Sequence, residues 1–298
     1  MKGSEAMVSG SMTALVTPFR GGEFDEQAYR GLIEFQIGAG TDALVPCGTT
    51  GESATLSHEE HDRVVEVCVA AAAGRVPVIA GAGSNSTREA VRLTRHAKEA
   101  GADAALLITP YYNKPTQEGL YRHFAHVAEQ VDIPIVLYNV PGRTGVNLLP
   151  ETVARLAEIP TIVAIKEATA DLRQASRIIE LCGEKIAVIS GDDFTVLPLL
   201  AVGGKGVISV VSNVAPALMA RLVDSFFAGD YRAAREAHYQ LMPLSDAMFI
   251  ETNPIPVKTA LGLMGKIAPE LRLPMCPMGE KNRERLAGVL RTAGLIGG

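Results

Sequence analysis

The sequence predicts a (β/α)₈ barrel followed by a C-terminal helical extension. Three observations point there: eight short apolar runs rich in β-branched residues recur along the chain, their starts lie 20 to 34 residues apart, and the intervals carry helix signals. The runs are nearly continuous in apolar character rather than cleanly alternating, which marks strands buried on both faces of a parallel sheet. Eight strand-helix units in a chain of 298 residues suit a closed barrel, with interior layers on one side of each strand and helices on the other. An open doubly wound sheet is the lesser alternative.

In chain order the predicted strands are Met12 to Phe19, Asp42 to Gly48, Val76 to Gly83, Ala104 to Tyr112, Pro134 to Pro141, Ile162 to Ala168, Ile186 to Asp193 and Gly206 to Asn213. Between them, Ser57-His58-Glu59-Glu60 and Ser86-Thr87-Arg88-Glu89 fit the S-x-x-E capping box, in which two side chains satisfy unpaired amides of a first helical turn. Gly101 and Gly183 stand where helices should stop. Beyond the eighth strand the chain runs on further than one closing helix needs. Ala215 to Phe227, Tyr231 to Phe249, Pro256 to Met264 and Lys281 to Thr292 read as helices. Residues 1–229 are therefore expected to form the barrel that carries the active site, and residues 230–298 an extension packed on it.

Composition narrows the function. Apolar residues make up 47% and charged residues 20%, enough for a substantial core and far from the signature of disorder. The net charge of −5, without a Lys/Arg run, argues against nucleic-acid binding. No apolar run approaches the roughly 20 residues needed to span a bilayer. Met1 to Gly10 lacks the apolar core of a secretory signal and reads as a short polar extension, so a cytoplasmic protein is expected. Cys47, Cys68, Cys182 and Cys276 form no C-x-x-C pair and read as buried free thiols.

In a barrel of this kind, chemistry belongs where the C-terminal ends of the strands converge. The second strand runs into Gly48-Thr49-Thr50-Gly51-Glu52, whose amides and hydroxyls suit a carboxylate or phosphate, although a plain turn has the same composition. The fourth ends in Tyr111-Tyr112-Asn113, the fifth carries Tyr138-Asn139 and leads to Arg143, and the seventh ends in Gly191-Asp192-Asp193. Arg143 offers a planar fork that matches a carboxylate, a surface ion pair being its commoner fate. The sharpest single signal is Lys166, within the apolar stretch Ile162 to Ala168. Burial there disfavours the ammonium form and favours a nucleophilic amine, which attacks ketones to form a Schiff base. A strand-end lysine paired with Glu167 or reaching to water is the plainer reading.

Other motifs fail on inspection. Gly81-Ala82-Gly83-Ser84-Asn85-Ser86 lacks the third glycine of a dinucleotide fingerprint, and Gly203-Gly204-Lys205-Gly206 lacks the spacing of a P-loop. His58-Glu59-Glu60-His61 is not H-E-x-x-H and has no evident third ligand, so no metal is expected.

Taken together, Gly48 to Glu52, Tyr111 to Asn113, Tyr138 to Gly145, Ile165-Lys166-Glu167, Gly191-Asp192-Asp193 and Asn253-Pro254-Ile255-Pro256-Val257-Lys258 resemble the dihydrodipicolinate synthase family almost end to end. That family belongs to the pyruvate-linked class I aldolases. The resemblance implies a lyase that condenses pyruvate with L-aspartate β-semialdehyde to give 4-hydroxy-tetrahydrodipicolinate, the first committed step toward diaminopimelate and lysine. It implies Lys166 as the Schiff-base nucleophile and Tyr138 as proton donor and acceptor, linked through Thr49 to Tyr112 from a neighbouring subunit. Thr50, with the backbone of Thr49, is implied to hold the pyruvate carboxylate. Arg143 is implied to orient the semialdehyde, with backbone groups at Gly191 and Ile208 lining the pocket.

No cofactor is implied beyond the covalent pyruvate adduct, and the assembly implied is a homotetramer of two tight dimers. Ser53, Ala54, His58, His61, Asn85, Glu89 and Tyr111 match positions that bind L-lysine as a feedback inhibitor in sensitive members. The runner-up is another pyruvate-dependent aldolase, of the N-acetylneuraminate lyase or 2-keto-3-deoxy-acid type; Arg143 and the Thr49-Thr50 pair argue for the synthase. A pyruvate-binding sensor without turnover is the cross-class alternative.

Overall fold

The computed structural model describes residues 8–297. Eight parallel strands form its centre: β1 (Gly10–Ala14), β2 (Ala43–Val45), β3 (Ile79–Gly81), β4 (Ala104–Ile108), β5 (Ile135–Asn139), β6 (Ile162–Glu167), β7 (Ala187–Ser190) and β8 (Gly206–Ser209). Strand β1 lies between β2 and β8, and the order runs back from β8 to β3. A parallel bridge between Leu44 and Val78 brings β2 against β3 and closes the ring. The barrel expectation holds over the open-sheet alternative.

Helices α1 (Glu26–Gly38), α2 (His58–Ala72), α3 (Thr87–Glu99), α4 (Gln117–Gln130), α5 (Pro150–Leu156), α6 (Leu172–Cys182), α7 (Val196–Ala201) and α8 (Pro216–Phe227) follow the strands in turn. Within the strands, alternation assigns each side chain to a layer. Val136 and Tyr138 of β5 join Leu106, Ala164 and Ile189 in the barrel interior. Ile135 and Leu137 face the other way, onto Leu107, Phe124, Leu156 and Ile165 beneath the helices. This two-residue period sends Lys166 to the same side as Ala164, which lies in that interior layer.

The strands are shorter than the apolar runs suggest. Phe19 has left β1 and pairs with Phe24 in a small antiparallel hairpin, and the run ending at Asn213 turns into a 3₁₀ turn after Ser209. The tails of the runs are instead the loops at the C-terminal mouth. The start also differs, since Val8 is buried and Gly10 opens β1 beside Gly206, so the polar extension ends before them and its remainder lies outside the described residues.

Of the two capping boxes, only Ser57 with Glu60 forms. Ser86 makes no side-chain cap; its amide, which the box would give to Glu89, donates to the Ser84 hydroxyl, and the Glu89 carboxylate is engaged by His58 and Ser84. Gly183 does cap α6 with positive φ, as its position predicts. Cys47, Cys68 and Cys182 are buried, but Cys276 is exposed in the loop before the last helix.

Helices α9 (Tyr231–Met248), α10 (Ile255–Leu263) and α11 (Glu280–Thr292) make up the rest. Their apolar faces do not form a separate core: Leu241, Leu244, Val257, Leu261, Leu286 and Leu290 pack in one cluster with Val196, Leu200, Val207 and Val210 of the barrel. This sharing brings the chain before α10 over the mouth of the barrel. Among the described residues no helix is long and apolar enough to cross a membrane.

Candidate active site

Two cavities meet at the mouth. The first, about 180 Å³, is lined by Thr49, Thr50, Tyr138, Arg143, Lys166, Gly191, Asp192, Val210, Phe249 and Asn253, among others. Lys166 reaches it because β6 places it at the last inward position of the strand. Its side chain is buried, with 5% of the residue's surface exposed. Tyr138 is its register partner on β5. The two lie side by side, the Lys166 Nζ 4.3 Å from the centre of the Tyr138 ring. Strand geometry alone accounts for this juxtaposition of an amine and a phenol.

Gly191 makes room for the amine. A Cβ at this position would stand 2.7 Å from Ala168 Cβ and 3.0 Å from Lys166 Cε, closer than carbon atoms approach. Behind the strand, Glu167 points away from the cavity and accepts hydrogen bonds from Asn139, Thr169 and Gln174. Burial pushes its carboxyl above the usual range despite those bonds. Glu167 is thus held by amide groups, and the salt bridge to Lys166 that the plainer reading invoked does not form.

The loop after β2 turns sharply at Gly48 to Glu52. Gly51 packs where a Cβ would lie 3.1 Å from the backbone of Cys47 and of Leu15, and its carbonyl accepts from the Thr17 hydroxyl. Glu52 adopts a left-handed conformation, φ 53°, and carries its side chain into the protein. There Lys258 of α10, fully buried, pairs with Glu52 at 2.5 Å and donates to the Thr17 carbonyl at 2.8 Å. Burial holds the Lys258 ammonium below its usual pKa, the Glu52 charge opposing that shift. The ion pair fastens the threonine loop to the extension.

Arg143 sits in the single helical turn Pro141–Thr144, closed by Gly145 at φ 71°. It is exposed to the mouth, and its Nη2 donates to the Asn253 carbonyl at 3.3 Å. Asn253 Nδ2 in turn donates to Thr50 Oγ1 at 3.0 Å. Asn253, Phe249, Asp192 and Val210 are cavity residues to which the sequence reading gave no role. The run Asn253 to Lys258 was legible as a motif, but only its packing across the mouth shows what it touches.

Ile208 and Tyr112 do not stand among the residues lining this chain's cavity, Tyr112 being the one implied to come from a neighbouring subunit. The Ile208 side chain is packed in the barrel interior opposite Met12, and Val210 stands on the cavity wall. Ile208 lies within β8 and Val210 begins the loop after it; the role implied for Ile208 is one of its backbone. Tyr112 is 89% exposed with φ 69° and does not line the cavity of its own chain.

The second cavity, about 500 Å³, is lined by Ser53, Ala54, His58, His61, Glu89 and Tyr111. Asn85 is beside it, donating from Nδ2 to the Tyr111 carbonyl at 3.3 Å. Thr49, Arg143 and Asn253 line both cavities and so form the partition between them. His58 Nε2 lies 2.8 Å from Glu89 Oε1, while His61 Nε2 donates to the Gly81 carbonyl at 2.9 Å. Burial lowers the His61 pKa to about 4, so its ring is neutral near pH 7. The Ser84 hydroxyl and His58 hold the Glu89 carboxyl below its usual range, hence ionised. Cys47 also borders this cavity, and burial raises its thiol well above the usual range, away from nucleophilic use.

A buried amine beside a phenol, with hydroxyl and guanidinium groups around it at the mouth of a parallel barrel, is the architecture of a class I aldolase. Residues 7–293 match the dihydrodipicolinate synthetase family, and the chain belongs to it. A 4-hydroxy-tetrahydrodipicolinate synthase of Geotalea daltonii is 63% identical over 290 residues, spanning 97% of this chain and all of that protein. The dihydrodipicolinate synthase of Acinetobacter baumannii, solved in complex with pyruvate, superposes with a TM-score of 0.95 at 49% identity, covering 97% of this chain and 100% of that one. That of Cyanidioschyzon merolae, solved with lysine bound, gives 0.94 at 42% identity, covering 97% and 99%. The family match favours the synthase reading over the neuraminate-lyase and 2-keto-3-deoxy-acid alternatives.

Proposed function

We propose that this chain condenses pyruvate with L-aspartate β-semialdehyde through a Schiff base on Lys166. The observation that carries the reading is the pairing of Lys166 with Tyr138 at one end of a small cavity whose other walls offer Thr50 and Arg143. The Lys166 nitrogen adds to the ketone carbon of pyruvate, Tyr138 passes a proton to the departing oxygen, and water leaves. The imine loses a methyl proton to give an enamine. Its carbon adds to the aldehyde of the semialdehyde, and attack by the substrate's own amino group releases the cyclic product and restores the lysine. No cofactor enters this sequence.

Thr50 and the Thr49 amide hold the keto-acid carboxylate, as hydroxyl and amide donors do for an acceptor-only group. Arg143, at the outer rim, takes the carboxylate of the second substrate. The Gly191 backbone borders the imine. Tyr112, exposed and unable to reach its own cavity, completes the Tyr138-Thr49 relay from a neighbouring copy of the chain, which makes the active assembly at least a dimer and, on the family pattern, a homotetramer. We place the boundary between barrel and extension at 229/230, where Gly229 has φ 80° and Asp230 caps α9. A cytoplasmic biosynthetic enzyme fits this reading.

The second cavity is proposed to bind L-lysine. Ionised Glu89 suits an ammonium group, neutral His61 and the hydroxyl of Ser53 suit the amino-acid end, and the shared partition gives a bound lysine a route to Thr49 and Arg143. The lysine-bound relative from Cyanidioschyzon merolae supports this assignment.

Pyruvate consumption by the purified protein with a panel of aldehydes tests the main reading. Turnover confined to aspartate β-semialdehyde, with borohydride and pyruvate trapping a reduced adduct on Lys166, is expected. Turnover with N-acetylmannosamine or glyceraldehyde instead would reassign the second-substrate site. Unchanged turnover at saturating L-lysine would remove the inhibitor assignment.

A further inference from the structure

Asn253 and Thr50 are 203 residues apart in the chain, yet both are almost fully buried and joined by one hydrogen bond. The direction of that bond has a chemical consequence. The amide Nδ2 donates to Thr50 Oγ1, so the threonine oxygen acts as acceptor and its own proton is free to point elsewhere. A carboxylate accepts and never donates when ionised, so a hydroxyl whose proton is committed to a protein acceptor cannot bind it. The same asparagine accepts from Arg143 through its backbone carbonyl, placing it between the groups assigned to the two substrate carboxylates.

We propose that Asn253 is a positioning residue for keto-acid binding: its side-chain amide turns the Thr50 hydroxyl proton toward the pyruvate carboxylate. The proposal rests on the pyruvate reading of the cavity and deepens it. Thr50 binds the carboxylate and Asn253, from the segment before α10, decides which way Thr50 donates. The extension thereby has a part in substrate binding, although the nucleophile and the phenol both come from the barrel.

The test compares Asn253→Ala and Asn253→Asp, reading KM for pyruvate, kcat, thermal midpoint and borohydride trapping by pyruvate alone. Loss of one buried hydrogen bond predicts that KM for pyruvate rises about tenfold in Asn253→Ala while kcat changes much less. Aspartate has nearly the same shape as asparagine but offers only acceptors when ionised. Thr50 must then donate to it, so Asn253→Asp should bind pyruvate more weakly than Asn253→Ala.

A purely structural role predicts the reverse order, since the isosteric side chain preserves packing better. In a Thr50→Val background, Asn253→Ala should add no further rise in KM. Should Asn253→Ala fail to fold, Asn253→Ser carries the same comparison. An unchanged KM for pyruvate, an aspartate variant that binds better than the alanine variant, or an additive double variant overturns the proposal. Absence of trapping in the unmodified protein instead overturns the Schiff-base reading itself, which keeps the two failures apart.

Discussion

Replacing Gly191 by alanine tests whether the Lys166 chain lies where the structure puts it. The new Cβ would stand 2.7 Å from Ala168 Cβ, 3.0 Å from Lys166 Cε and 3.1 Å from Lys166 Cγ. Ordinary carbon contacts are about 3.5–4.0 Å, so roughly 1 Å of relief is required. The backbone cannot easily supply it: the Gly191 amide donates to the Glu167 carbonyl at 2.8 Å, and the Ala168 amide to the Asn139 carbonyl at 2.9 Å. The lysine side chain can turn away from the two longer contacts, but Ala168 Cβ moves only with its backbone, so the strand ends must shift as well and carry the lysine with them. Overpacking of this kind costs about 1–3 kcal/mol, and a reacting group displaced by about 1 Å loses on the order of 100-fold in rate. Steady-state kinetics with both substrates, pyruvate trapping by borohydride and a thermal melt separate the two effects. The expected result is a kcat lower on the order of 100-fold with a melting midpoint only a few degrees down. Gly191→Ala with the unmodified kcat and midpoint would refute the placement of the amine against this glycine.

Other perturbations bear on the surroundings. Lys258→Met leaves the Glu52 carboxylate buried without its cation and should cost about 3–5 kcal/mol in denaturant unfolding, part of it recovered in the Glu52→Gln/Lys258→Met double variant. Arg143→Ala should weaken use of the semialdehyde by at least about tenfold while pyruvate still forms a trappable adduct; loss of both together would contradict the role given to the arginine. His61 and His123 are held by burial at about 4, below the ordinary 6.5 of histidine. The unfolded chain takes up protons that these folded rings refuse. Their contribution to stability is complete above pH 6.5 and lost as pH falls through 4, on the order of 3 kcal/mol each. Asp193, pushed up to about 6 by burial, works in the opposite sense below that pH. A His123→Asn variant should therefore show a shallower fall of stability between pH 6.5 and 4, measured by unfolding at a series of pH values.

The eight strands were legible because each is short, apolar and punctuated by polar loop residues, a pattern that local composition carries. Their C-terminal limits were not: Phe19 continues the first run yet pairs in a separate antiparallel hairpin, and Cys47 and Asn213 continue theirs yet belong to turns. The Ser57 box was correctly readable from its spacing, whereas the identical spacing at Ser86 failed. There the glutamate finds partners 31 residues away in sequence, His58, and five residues away, Ser84. No local pattern encodes that competition.

The sequence by itself determined which side chains are proposed to react. The threonine pair, the tyrosine with the arginine, and the lysine stand at the ends of β2, β5 and β6, which a parallel barrel brings to one face, and two-residue alternation sends Lys166 and Tyr138 to the same interior side. The tertiary structure alone decided how that set is held: Gly191 yielding space to the amine, Lys258 neutralising Glu52 beneath the threonine loop, Asn253 reaching across the mouth to Thr50, and Val210 standing on the cavity wall. These contacts join residues far apart in the chain, and their energies come from burial and close approach, which depend on how the extension packs against the barrel and leave no periodic trace in the order of amino acids.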